Sequence, residues 1–131
     1  MWVNPDDGNA DGTLLSQFGD GEFDVSVWIE LVNGKPVFSF GDGKTEMLTV
    51  SSSVSFPKKN WGHLTCTRDG STASIYIDGV LVASESYDFE PVELNVQIFI
   101  SDGEYEGKID EFRIYEGSLS DEEIGLLATT P

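Results

Sequence analysis

Six residues near the start, Asp7-Gly8-Asn9-Ala10-Asp11-Gly12, carry oxygen-bearing side chains at alternate positions. That Asp-x-Asn-x-Asp-Gly spacing folds side-chain oxygens around a hard cation such as Ca2+. An EF-hand would also need a bidentate glutamate where this chain has Phe18, and helices where the flanking pattern predicts strands. Two readings stay open. The cluster is a calcium-binding loop of another kind, with Asp7, Asn9 and Asp11 as ligands, or it is a polar turn between strands.

Catalytic groupings are hard to find. Cys66 is the only cysteine, so no internal disulfide can form. The only histidine, His63, lies three residues away along the same predicted strand, and an odd spacing sends the two side chains to opposite faces. Serine hydrolysis has no second base to draw on, and no nucleophile elbow surrounds any serine. Asp110-Glu111 are adjacent, so they too split across two faces. Asp110 is expected inward with Phe112 and Ile114, held by backbone donors or a cation. Glu111 and Arg113 are expected as a surface pair of little energetic weight. The expectation is a protein that is not an enzyme. Sugar recognition would need exposed aromatic rings beside polar groups. Trp28, out of phase with the apolar side of its strand, and Tyr105, in a loop, are the candidate ligand-binding residues.

Seven basic residues stand against twenty-four acidic ones, a formal charge of −17. Phosphate contact needs Lys and Arg clusters, and here only Lys58-Lys59 are adjacent, so neither nucleic acid nor an anionic membrane is an expected partner. No apolar run approaches the roughly 20 residues that span a bilayer. The opening Met1-Trp2-Val3-Asn4-Pro5-Asp6-Asp7 has neither the basic nor the apolar region of a signal peptide.

The elements that must position these groups are strands. Phe23, Val25, Val27, Ile29 and Leu31 alternate along one face, and Asn33-Gly34 turns the chain into Pro36–Phe40. Further alternating runs fall at 46–51, 61–67, 73–77, 80–83, 94–100 and 109–115. Asp69-Gly70 and Asp78-Gly79 supply turns. About ten short strands at close spacing predict a single all-β domain over residues 1–131, a sandwich or barrel. One short helix follows from Ser120-Asp121-Glu122-Glu123, a capping box, with Ile124 and Leu127 as its apolar stripe.

Three motifs in order carry a resemblance: Trp61-Gly62-His63-Leu64-Thr65-Cys66-Thr67-Arg68-Asp69-Gly70-Ser71, then Ile75-Tyr76-Ile77-Asp78-Gly79-Val80-Leu81-Val82, then Gly107-Lys108-Ile109-Asp110-Glu111-Phe112-Arg113-Ile114-Tyr115 with Leu119-Ser120 and the capped helix. They resemble the laminin G-like family, one of the concanavalin A-like lectin and glucanase folds. The resemblance implies a two-sheet antiparallel jelly-roll sandwich with one short C-terminal helix. Trp61 and Tyr76 fall at core or near-core positions of the family, and His63 at one that hydrogen-bonds within the sheet. The family often holds calcium at the sandwich rim, which adds Asp110 and Asp102 as candidate ligands. Glucanases of this fold carry a Glu-x-Asp-x-x-Glu triplet on one strand, and this chain has none.

Family members usually carry one or two strands ahead of the one that Met1-Trp2-Val3 resembles. The expectation is an unpaired edge at the N-terminal strand, covered by a neighbouring chain or an identical subunit. Two functions follow. One is an adhesion or carbohydrate-binding module that recognises a glycan or protein surface, assisted by calcium. The other is a structural decoration domain of a virion or cell-surface array. Either implies an extracellular or virion-surface location.

Overall fold

The computed structural model describes residues 1–6, 10–101 and 103–129. Ten strands and one helix follow in order: β1 (Trp2–Pro5), β2 (Gly12–Phe18), β3 (Val25–Val32), β4 (Lys35–Gly41), β5 (Met47–Ser51), β6 (Gly62–Arg68), β7 (Thr72–Ile77), β8 (Val80–Ser86), β9 (Phe99–Ile100), β10 (Gly107–Asp110) and α1 (Asp121–Leu127). They form a jelly-roll sandwich of two antiparallel five-stranded sheets. One has the order β10-β1-β6-β7-β8 and the other β5-β4-β3-β2-β9.

Local chemistry sets the tight turns. Asn33 and Gly34 have φ of 53° and 74°, and Asp78 and Gly79 have 50° and 81°. Two successive left-handed residues match the twist of the flanking strands, which is why Asn-Gly and Asp-Gly serve here. At the helix start the Ser120 side chain accepts from Glu123 N while the Glu123 carboxylate accepts from Ser120 N. Both bonds satisfy donors that the first turn would otherwise leave open.

Alternation fills the space between the sheets. Val3, Leu64 and Ile75 from one sheet meet Leu15, Ile29, Phe38 and Phe40 from the other. Each fully buried side chain of this size stabilises the fold by about 1.5–3 kcal/mol. The Phe40 ring packs on Tyr87 at 5.0 Å and on Phe89 at 5.7 Å, and the Arg68 guanidinium lies 5.2 Å from its centroid. Outside the first sheet, α1 docks through buried Ile124, and Tyr76 Oη donates to Asp121 Oδ1 at 2.8 Å.

The structure corrects several expectations. The run 94–100 contributes only Phe99–Ile100 as strand, because the Gln17 amide donates to the Leu94 and Val96 carbonyls at 3.1 and 3.0 Å. The run 109–115 becomes Gly107–Asp110, ended by Glu111 at φ 50°. Trp61 is 43% exposed rather than in the core. The N-terminal strand is no edge either: β1 lies between β10 and β6.

Candidate functional site

Asp11 is spoken for by the backbone. Its two carboxylate oxygens accept from Asn33 N at 2.6 Å and Gly34 N at 2.9 Å, so it ties the β2 entry to the β3–β4 turn. Asp7, Asn9 and Asp102 lie outside the described residues. Asp110, expected inward with Phe112 and Ile114, is exposed, and its Oδ1 accepts from Glu111 N at 2.8 Å. The left-handed Glu111 shifts the alternation, so that Ile109 and Phe112 pack on the core and Asp110 turns to solvent. Among the described residues no group of three His, Cys, Asp or Glu side chains is placed to hold a metal. Asp11 and Asp110 each accept from backbone N–H groups, and the other three candidate ligands lie outside the described residues.

Glu111 and Arg113 pair at 2.9 Å with both side chains about half exposed, a contact worth little. His63 and Cys66 take opposite faces. The imidazole stands edge-on to Trp2 at 5.0 Å, with Nδ1 at 3.2 Å from Thr65 Oγ1. Cys66 packs against the core instead. Burial is the main cause that lowers the His63 pKa to about 4 and raises the Cys66 thiol to about 12. A neutral ring and a protonated thiol facing apart make no nucleophile–base pair.

The two aromatic candidates separate. Tyr105 is buried, not at the rim, and its hydroxyl donates to Lys108 O at 3.1 Å. It is held between Gly12 and Gly107, where an added Cβ would collide with Tyr105 N and Tyr105 Oη respectively. Nothing in the sequence marked those glycines as the walls of a tyrosine slot.

Trp28 is half-buried and stacks on exposed Phe18, with centroids 5.1 Å apart and an interplanar angle of 25°. The strand registers set Trp28 in a row that crosses the whole second sheet. Phe99 faces Ser16, Ser16 faces Trp28, Trp28 faces Ser39, and Ser39 faces Thr49. Directly paired residues share a face, and Ile29 and Phe38 on the opposite face fill the core. The row is therefore outward. Ser39 Oγ donates to Thr49 Oγ1 at 3.2 Å. Ser16 Oγ and Trp28 Nε1, neighbours in the row, are buried with no hydrogen-bond partner among the described residues. Phe18 and Phe99 had no sequence signal, since each gains its place from pairing with distant strands.

A family model described as the concanavalin A-like lectin/glucanases superfamily, Laminin_G_3, matches residues 1–125. No curated protein matches. Among solved structures, a provisionally assigned carbohydrate-binding protein from Bacteroides ovatus superposes with a TM-score of 0.74 at 14% identity, over 95% of this chain and 38% of that one. The binding domain of Paraclostridial Mosquitocidal Protein 1 gives 0.77 at 19% identity, over 97% of this chain and 35% of the other. The binding domain of Botulinum neurotoxin serotype G gives 0.71 at 17%, over 98% and 34%. The chain thus spans little more than a third of each, and at these identities the likeness is one of fold.

Proposed function

We propose that this chain, which belongs to the laminin G-like family of the concanavalin A-like lectin/glucanases superfamily, is a non-catalytic binding module that takes a glycan on the outer face of its second sheet. The observation that carries the reading is the Phe18–Trp28 stack beside the Ser39–Thr49 hydroxyl pair. A pyranose offers an apolar C–H face to an aromatic ring and hydroxyls to neighbouring polar groups. A half-buried Trp braced by a second ring is held rigid for that contact, which lowers the ordering cost of binding. The solved structures it resembles include one named as a carbohydrate-binding protein and two named as binding domains, which supports a binding module. An extracellular or virion-surface setting fits that role. Among the described residues no helix is long and apolar enough to cross a membrane.

A glycan array probed with the chain and with Trp28→Ala tests the reading. The parent should bind a restricted set of sugars, and the variant should lose about tenfold or more in affinity. Binding that Trp28→Ala leaves unchanged would move the site elsewhere.

The assembly reading keeps one observation of its own. Phe99 and Ile100 of β9, the edge of the second sheet, and Val96 and Ile98 in the segment leading into it are all exposed. Such an edge invites another chain. A stable multimer indifferent to every sugar would favour it over glycan recognition.

A further inference from the structure

The outward row of the second sheet carries aromatic rings on alternate strands. Phe99 stands on β9 and Trp28 on β3, and β2 runs between them. Phe99 is opposite Ser16 and Ser16 is opposite Trp28, so the two aromatic positions lie on one line across the strands. Two strand spacings separate them, about 9–10 Å. Ser16 is fully buried, so the surface dips between the rings, while Phe99 is 42% exposed at the sheet edge. Past Trp28 the line continues over the Ser39–Thr49 hydroxyl pair of β4 and β5. From Phe99 to Thr49 it crosses five strands, about 19 Å.

We propose that this line binds a linear, neutral glycan laid across the strands, one sugar to a strand, with Phe99 as a second stacking platform beside Trp28. The inference rests on the glycan reading of this face and extends it from one sugar to a chain. Successive pyranoses of a straight, β-1,4-linked chain are turned over relative to one another. Each apolar face therefore recurs at every second sugar, an interval close to two strand spacings. Rings on alternate strands match that repeat. Sugars over β9 and β3 stack on Phe99 and Trp28, and the one between them lies over the dip at Ser16 with its face reversed. The next two reach Ser39 and Thr49, whose hydroxyls can donate to and accept from sugar hydroxyls. A curled chain does not bring its faces back along a straight line, so the row selects for shape.

Charge narrows the class further. Glu30 lies on the same outer face in the adjoining row, opposite Thr13 and Val37. Its carboxylate accepts from sugar hydroxyls but repels a uronate or a sulfate. Lys35 is a further row away, opposite Val32. The formal charge of −17 over the chain opposes an acidic polymer as well.

Calorimetric titration with cello-, xylo-, manno- and N-acetylchito-oligosaccharides of one to six units tests this. At least one series should tighten by about tenfold between two units and three, where both rings are first spanned. It should level off near five, where the row ends. Malto-oligosaccharides, whose α-links curl the chain, should show no such step, and heparin should bind more weakly than the neutral series. Phe99→Ala should lose the step at three units, and Phe99→Tyr, which keeps the ring, should retain it. Four flat series, a step that persists in Phe99→Ala, the same step with malto-oligosaccharides, or tighter binding of heparin each overturns the proposal. Where such a result accompanies sugar binding that Trp28→Ala weakens, the glycan reading survives and the linear arrangement falls. Absence of binding to any sugar removes both.

Discussion

The outer faces of the two sheets carry similar raw material and use it differently. On the first sheet, Trp2, His63 and Tyr76 are all buried. Trp2 and His63 pack edge to face, and Tyr76 bonds to Asp121 of the docked helix. On the second sheet, Phe18, Trp28 and Phe99 have no helix over them, and two of the three are exposed. An aromatic or polar residue on an outer strand face is therefore structural or functional according to what lies over it. The same period-two pattern precedes both outcomes.

That contrast yields graded expectations. The largest effect belongs to the covered face: Ile124→Ala should destabilise by about 2–3 kcal/mol, because it empties the contact that docks α1. Chemical denaturation measures this, and a loss below about 0.5 kcal/mol would mean that the helix covers the face without holding it.

The second expectation uses the covered histidine. The unfolded ring takes a proton near its ordinary value of 6.5, whereas burial holds the folded ring to about 4. Between those values protons favour the unfolded chain. Stability from His63 is therefore complete above pH 6.5 and is lost as pH falls towards 4, by about 1–2 kcal/mol after allowance for solvent screening. His63→Gln should flatten that part of the stability–pH curve relative to the parent. Parallel curves would show that the ring is not shielded by its cover.

Asp11→Ala comes third, at about 1–2 kcal/mol, since it strips two backbone donors at the β3–β4 turn of their acceptor. The loss should be the same in calcium and in chelator. A larger loss in calcium would return Asp11 to the ligand role that the Asp-x-Asn-x-Asp spacing suggested.

The smallest change in stability is expected on the face that carries no helix. Trp28→Ala should cost under about 1.5 kcal/mol while the far-ultraviolet spectrum is kept, and its effect should fall on glycan affinity. A cost of about 3 kcal/mol or more would place Trp28 with the structural aromatics instead.

Some features could be read before any fold was known because their causes are local. Asn33-Gly34 and Asp78-Gly79 took the left-handed conformations their types favour, and Ser120 with Glu123 closed the expected capping box. Most of the strand pattern followed from alternation, and with it the division of His63 from Cys66. Each of these rests on residues within a few positions of one another, where dihedral preference and hydrogen-bond reach suffice.

What only the tertiary structure decided concerned which positions face a partner. Gln17 reached residues 94 and 96 and took the carbonyls of a predicted strand. Glu111 turned left-handed and reversed the phase that would have sent Asp110 inward. Gly12 and Gly107 enclosed Tyr105, while Trp61 was left in solvent. Strand pairing across the sheet brought Phe99, Ser16, Trp28, Ser39 and Thr49 into one row. Burial is a property of contacts made far along the chain. Periodicity says that a side chain has a face, and only the assembled sheets say what that face meets.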